Sequence, residues 1–118
     1  MKTNEMEGAA LDWAVAKCEG IDLFETEGWL YDHDTGTRKP YRPSTDWAQG
    51  GPIIEREKIA LCHRYVWEAS KDFDAVGGDT DTAVEHGPTP LVAAMRCYVR
   101  CYVASKLGEE VEIPEGLK

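Results

Sequence analysis

The segment 44–51, STDWAQGG, contains the side chains of this sequence that are best suited to hold a small polar ligand. Its hydroxyl, carboxylate and amide groups can donate and accept hydrogen bonds. Its indole offers a flat apolar face on which a base or a sugar can stack. Its paired glycines let a backbone approach a ligand without an intervening Cβ atom. The candidate ligand-binding residues in this segment are Ser44, Thr45, Asp46, Trp47, Gln49, Gly50 and Gly51.

A purely structural explanation of the same segment is also available. Ser44 or Asp46 can cap a turn by accepting from backbone N–H groups, and Trp47 can fill a core. On these residues alone the structural explanation is favoured. If a ligand does bind, Arg96 is the cation that we expect to meet its phosphate or carboxylate group.

The sequence has no known catalytic motif. A G-x-S-x-G elbow, a phosphate loop and a dinucleotide fingerprint are all absent. The four cysteines lack the C-x-x-C pair that is usual in structural zinc sites. The acidic stretch DFDAVGGDTD fails the EF-hand pattern, because Val76 stands at position five and Ala83 at position twelve. We therefore assign no catalytic residue, no metal ligand and no cofactor, and leave a hydrolase built on His33 or His63 as a minor alternative.

Composition places limits on the partners. The chain has 118 residues and a formal net charge of −9, so it is long enough for one domain and is repelled by a nucleic-acid backbone. Arg38, Lys39 and Arg42 form a local basic cluster within this acidic chain. No apolar run is long enough to span a membrane, and the N-terminal residues lack the apolar core of a signal peptide. We expect a protein of the cytoplasm.

Hydrophobic periodicity predicts an α+β fold that occupies residues 1–118 as a single domain. The predicted elements are two helices on one face of a short antiparallel sheet of about three strands. A proline- and glycine-containing loop is expected over about 35–52, a polar connection follows the last strand, and an acidic extended tail is expected over about 109–118. The boundaries are helix 8–18, strands 28–33, 58–62 and 65–69, and a longer helix from Pro90 to Leu107.

One short repeat lies in the C-terminal helix. The sequence RCYV at Arg96–Val99 recurs at Arg100–Val103. Four residues add about one helical turn, so the duplication lengthens the helix and nearly preserves its apolar stripe.

Three blocks of the sequence resemble the NinX family of phage proteins. They are GAALDWAVAKCEG, PSTDWAQGGPIIERE and GPTPLVAAMRCYV…ASKLGEEV, and they occur in the family's order. The resemblance implies a phage accessory protein that acts in the bacterial cytoplasm, and the family carries no established biochemical activity. The recurring residues of the family match here at Leu11, Val15, Ala16, Gly20, Trp47, Gly51, Pro52, Ile53, Ile54, Pro90, Leu91, Ala93, Ala94 and Met95.

The chain departs from the family pattern in two places. Glu7-Gly8 stands where the family commonly has a Ser, Thr or Asn helix cap, and the second RCYV adds a turn to the last helix. The resemblance also extends over the polar residues of the segment 44–51, which strengthens the ligand-binding explanation of that segment.

Two functions remain as hypotheses. The first is a non-enzymatic protein that binds or sequesters a small polar or nucleotide-like ligand and so counters host defence. The alternative is an acidic protein–protein interaction module that inhibits or redirects a host protein. A homo-oligomer, with Tyr98 and Tyr102 packing between copies, is compatible with both hypotheses.

Overall fold

The structure is a computed structural model that describes residues 2–33, 39–74, 77–107 and 111–117, with only the backbone of 106 and 107. Three α-helices and five strands lie in these ranges. The helices are α1 (Gly8–Glu19), α2 (Trp47–Glu57) and α3 (Pro90–Tyr102). The strands are β1 (Leu23–Thr26), β2 (Trp29–Asp32), β3 (Ala60–Arg64), β4 (Val66–Asp74) and β5 (Thr80–Gly87). A single π-helical stretch, Val103–Leu107, extends α3, and short 3-10 turns lie at Thr3–Glu5 and Glu115–Leu117.

The strands form two antiparallel sheets. β1 and β2 make a hairpin, while β3, β4 and β5 form a meander in sequence order. Helices and antiparallel sheets together confirm the predicted α+β class.

Both predicted helices are confirmed, and their ends follow local chemistry. Gly20 ends α1 in the left-handed conformation with φ of 73°, which glycine adopts without a Cβ penalty. The hydroxyl of Thr89 accepts a hydrogen bond from the Val92 N–H at 3.1 Å, and Pro90 begins α3 where its missing N–H costs nothing. Glu7 provides no side-chain cap for α1, in keeping with the departure from the family pattern.

The prediction of a loop that extends to Pro52 was wrong. Residues 47–57 form α2, because Asp46 caps the helix by accepting from the Ala48 N–H at 3.0 Å. Pro52 removes one hydrogen bond within the second turn of α2, and the β-branched Ile53 and Ile54 pack along the helix instead of entering a sheet. Residues 34–38 of the predicted loop lie outside the described residues.

The strand predictions also need correction at β5 and β1. The two predicted strands at 58–62 and 65–69 correspond to β3 and the longer β4, but β5 lies in the stretch that was expected to be a polar connection. In β5 only alternate residues face the protein interior, with Ala83, Glu85 and Gly87 buried and their neighbours exposed. One-sided burial of an antiparallel strand therefore explains its polar sequence. β1 was not predicted either.

The helix α3 lies at the centre of the molecule. One stripe of α3 faces the sheet: Cys97 contacts the carbonyl of Ala83, and the backbone of Ala93 lies close to Gly87. The opposite stripe faces α1 and α2, where the Tyr98 hydroxyl donates to Glu19 at 2.7 Å and Leu91 lies against Gly50. α3 thus lies between the meander and the other two helices, and it is the helix that packs directly on the sheet.

The described part of the predicted acidic tail packs onto the rest of the protein. Val111 and Ile113 are buried in the main hydrophobic core, and Leu117 packs against α1 and the β1–β2 hairpin. Residues 108–110 and 118 lie outside the described residues.

The duplicated RCYV residues secure the outer edge of β5. The guanidinium group of Arg96 donates to the carbonyl of His86 at 2.8 Å, and that of Arg100 donates to the carbonyl of Val84 at 3.0 Å. Four helical residues rise about 6 Å and two strand residues about 6.6 Å, so one turn of α3 matches one repeat of β5. The repeat therefore supplies two equivalent contacts along the strand.

Gly50 is required by close packing, whereas Gly51 is not. A Cβ atom at Gly50 would lie 2.4 Å from the Pro43 carbonyl oxygen and 2.6 Å from Leu91 Cδ2, but one at Gly51 would meet only Trp47 Cε3, at 3.8 Å. We expect Gly50→Ala to lower the free energy of unfolding by about 1–3 kcal/mol, because overpacking forces backbone shifts. Gly51→Ala is the matched control, and we expect it to change that free energy by less than about 1 kcal/mol, because the helix propensity of alanine is opposed by crowding between its Cβ and the Pro52 ring. Urea denaturation measures both, and equal effects of the two substitutions would contradict this account of Gly50.

Candidate functional site

The segment 44–51 lies at the start of α2, and most of its polar groups hold the local structure together. Gln49 connects three parts of the preceding chain. Its Nε2 donates to the Pro40 carbonyl at 2.9 Å and to Asp46 Oδ2 at 3.0 Å, while its Oε1 accepts from the Arg42 N–H at 2.8 Å. The backbone hydrogen bond to Ala48 and the Lys39 ammonium group 3.2 Å from Asp46 Oδ2 lower the pKa of Asp46. Gln49 and Asp46 thus fix the course of residues 40–46 against the helix.

Ser44 joins this segment to α1. Its backbone N–H donates to Asp12 Oδ1 at 2.9 Å, and both residues are buried. Burial raises the pKa of Asp12 to about 6, although the Ser44 backbone, the Ser44 hydroxyl and the Arg42 charge act in the opposite direction. The Ser44 hydroxyl lies near enough to influence Asp12 but makes no hydrogen bond of standard geometry.

The remaining predicted residues are dispersed. The Trp47 side chain does not fill the core, since it is 53% exposed and lies over Gly51, and it lines neither of the two cavities described below. Thr45 is exposed, and its backbone N–H donates to the Arg42 carbonyl at 3.1 Å. The structure does not bring Arg96 to this segment, because its guanidinium group donates to the Met6 carbonyl at 2.8 Å as well as to His86.

One surface cavity lies on the Gln49 side of the segment 39–45. We call it the Arg56 cavity; its volume is about 350 Å³, and it is lined by Glu19, Ile21, Asp32, Lys39, Pro40, Tyr41, Gln49, Pro52, Ile53 and Arg56. Its principal charges are already paired, since Arg56 contacts both carboxylate oxygens of Glu19 at 2.7 and 3.0 Å. Burial raises the pKa of Glu19, but hydrogen bonds from Arg56 and Tyr98 outweigh it and hold that pKa below its usual range. This cavity is therefore built around an internal ion pair.

A second cavity lies on the other side of the same segment. We call it the Arg42 cavity; its volume is also about 350 Å³, and it is lined by Gly8, Ala9, Asp12, Gly28, Trp29, Leu30, Tyr41, Arg42 and Thr45. The Arg42 guanidinium carbon lies 5.7 Å from the centroid of the Trp29 ring, within the range of a cation–π contact. Tyr41 lines both cavities, so the segment 39–45 forms the wall between them.

The Arg42 cavity brings together groups that sequence reasoning did not assemble. Of the predicted ligand-binding residues, it contains Thr45. Trp29 and Asp12 were treated as parts of a strand and a helix, and Arg42 was noted for its charge alone. The basic cluster was the available signal for Arg42, but nothing in the spacing of residues 8, 29 and 42 indicates that they meet.

No group of three or more His, Cys, Asp or Glu side chains in the described ranges could hold a metal ion. No helix within them is both long enough and apolar enough to cross a membrane.

These features define a small α+β protein in which a capped helix and a cross-braced loop separate two surface cavities. The chain belongs to the family described as Bacteriophage P22, NinX, whose model matches residues 2–106. The match confirms the family resemblance seen in the three sequence blocks, and it indicates a phage accessory protein. No curated protein matches the sequence.

The buried Asp12 carboxylate predicts a specific pH dependence of stability. Its pKa is about 6 in the folded protein, against 3.8 ordinarily, so the folded state binds the proton more tightly than the unfolded state. Stability from this residue is complete below about pH 4 and falls by about 3 kcal/mol as the pH rises through 6. Asp12→Asn keeps an oxygen to accept from Ser44 and removes the titration.

The measurement compares the free energy of unfolding of the wild type and of Asp12→Asn at several pH values. We expect the wild-type value to fall relative to that of the variant between about pH 4 and pH 7. Groups that titrate in both proteins cancel in this difference. Parallel pH profiles would show that Asp12 is not desolvated as described.

Proposed function

We propose that this phage accessory protein is a non-enzymatic binding protein whose Arg42 cavity takes a small anionic ligand that carries a flat ring. The observation that carries the proposal is the convergence of an arginine, an exposed indole and the first turn of a helix on one cavity. Ligand sites commonly combine an aromatic wall with a few polar groups that fix orientation. A volume of about 350 Å³ is sufficient for a ligand of the size of a nucleotide fragment.

The anionic part of the ligand is supported by two sources of positive potential. Arg42 is exposed, and within the described ranges its guanidinium group makes no ion pair with a carboxylate. The first turn of α1 has no side-chain cap, and Gly8 and Ala9 from that turn line the cavity. Free N–H groups at a helix N-terminus attract anions, and a guanidinium group binds phosphate or carboxylate through paired hydrogen bonds.

The aromatic side chains at the cavity support the proposal that the ligand carries a flat ring. The Trp29 side chain is 48% exposed at the cavity, with the Arg42 guanidinium group beside it. Tyr41 lies in the wall that the Arg42 cavity shares with the Arg56 cavity, and burial raises the pKa of its hydroxyl. A base stacked on an indole with its phosphate near Arg42 would use both features at once.

The proposed biological role draws on membership of a phage family. A phage protein that sequesters a nucleotide-like signal would lower its free concentration in an infected cell and so counter host defence. Sequestration needs binding without chemistry, and this is consistent with a site formed by a cation, an aromatic wall and backbone donors.

Adenosine 5′-monophosphate is a suitable probe for this proposal. In ¹H–¹⁵N NMR titrations we expect it to shift the backbone amides of Gly8 and Ala9 and the indole N–H of Trp29. Arg42→Gln should weaken binding by about tenfold or more, since a charge-assisted hydrogen bond contributes about 1.5–3 kcal/mol. Inorganic phosphate should shift the same backbone amides more weakly, because it lacks the ring.

The matched control is Lys39→Gln, which removes one positive charge from the neighbouring Arg56 cavity and should leave the affinity within about twofold. Trp47→Ala tests the alternative position, the exposed start of α2, because Trp47 lines neither cavity. Loss of binding in Trp47→Ala with normal binding in Arg42→Gln would place the ligand on the exposed start of α2 and refute the proposed site.

A further inference from the structure

The two edges of the β3–β4–β5 sheet differ in a way that points to a second copy of this chain. The β5 edge is occupied, because Arg96 and Arg100 donate to the carbonyls of His86 and Val84. The β3 edge is open: in the part of the chain that the structure describes, the backbone of Ala60–Arg64 makes no hydrogen bond besides those to β4. Open edges are templates for strand pairing, and proteins usually block them.

Proline and bulges, two of the usual blocking devices, are absent from β3. The strand ALCHR contains no proline or glycine, and its register with β4 runs without a bulge from Ala60 opposite Ser70 to Arg64 opposite Val66. One strand of five residues can therefore pair along its whole length with another extended strand.

We propose that β3 pairs antiparallel with β3 of a second copy about a two-fold axis through Cys62, which gives a continuous six-stranded sheet. In this register Cys62 lies directly opposite its own counterpart, and Ala60 lies opposite Arg64 of the other copy. A two-fold interface requires a self-complementary surface of this kind. The inference concerns a different surface from the Arg42 cavity and does not depend on the proposed function.

Charge complementarity favours a second copy as the occupant. Within β3–β5, Arg64 is the one Lys or Arg on the sheet face directed away from α3, a face that also carries Glu68 and Asp72. Ala60, paired with Ser70, leaves space above the strand, and Glu68 and Asp72 flank Ser70 on β4. The side chain of Arg64 from the second copy would pass over Ala60 on β3 to reach these carboxylates on β4. The two strands that it joins are two inter-strand spacings of about 4.8 Å apart. The symmetry supplies this contact twice.

The helix surface considered from sequence is less suitable for self-association. Tyr98 is 6% exposed and donates to Glu19 within its own chain, so it is not available to a second copy. The open strand edge therefore replaces α3 as the self-association surface.

Cys62 provides a direct readout of the register. It is the exposed cysteine, whereas Cys18, Cys97 and Cys101 are buried. Residues directly opposite each other on antiparallel strands have Cβ atoms about 4.5–5.5 Å apart, which small adjustments bring within disulfide range. Diamide accepts the two hydrogens that the paired thiols lose as the S–S bond forms, and is itself reduced to the hydrazine.

The experiment treats the full chain with diamide under native conditions and separates the products on a non-reducing gel. We expect a disulfide-linked dimer in the wild type and none in Cys62→Ser. Moving the thiol with Ala60→Cys in the Cys62→Ser background, which keeps Arg64, should slow cross-linking at least about tenfold, because residue 60 faces Arg64 of the other copy.

Sedimentation velocity of Cys62→Ser tests association without a covalent bond. We expect a reversible dimer that Arg64→Glu weakens at least about tenfold, whereas Lys2→Glu, which makes the same charge change at an exposed residue outside the sheet, leaves it unchanged. A monomer at all concentrations up to several hundred micromolar would overturn the proposal. So would a dimer that is insensitive to Arg64→Glu, because its interface would lie elsewhere.

Discussion

The burial of α3 on two opposite sides is the constraint on which the rest of the structure depends. Ala93, Ala94 and Met95 are completely inaccessible to solvent, and one helix serves as the core for the sheet and for the other two helices. Such a helix requires close approach on both sides. Glycine provides it at Gly87, next to the backbone of Ala93, and at Gly50, next to Leu91. Two glycines from distant parts of the sequence thus determine how closely the layers can pack around α3.

The position of α2 against α3 explains how the chemistry of the segment 44–51 is used. Gly50 lies in contact with Leu91 and Pro43. In this position of α2, Asp46 caps the helix and the Gln49 side chain reaches the carbonyl of Pro40 in the preceding loop. Polar groups that the sequence offers for ligand binding instead form hydrogen bonds that hold that loop to the helix. The loop then separates two cavities. The Arg42 cavity has fewer internal ion pairs, and the backbone N–H of Arg42 donates to the same Gln49 side chain.

Sequence reasoning succeeded where one element carries its own signal. The apolar stripes of α1 and α3 are local features, and both helices correspond to the structure. It failed at α2, where Pro52 and paired isoleucines resemble a turn and a strand, and at β5, where one-sided burial leaves a polar sequence. The candidate site was harder still. Its cavity is formed by the first turn of α1, the β1–β2 turn and the segment 41–45, and the meeting of such distant segments has no periodic signature in the chain.

The paired arginines of α3 couple the length of a helix to the length of a strand. An insertion of four residues into α3 adds one turn and one guanidinium group, and it needs two more residues of β5 to receive that group. Insertions of one, two or three residues would rotate the new arginine away from the strand. α3 can therefore lengthen by four residues only when β5 lengthens by two. A tandem duplication of RCYV satisfies the requirement on the helix. Growth of this kind extends the sheet along its strands without opening the protected edge.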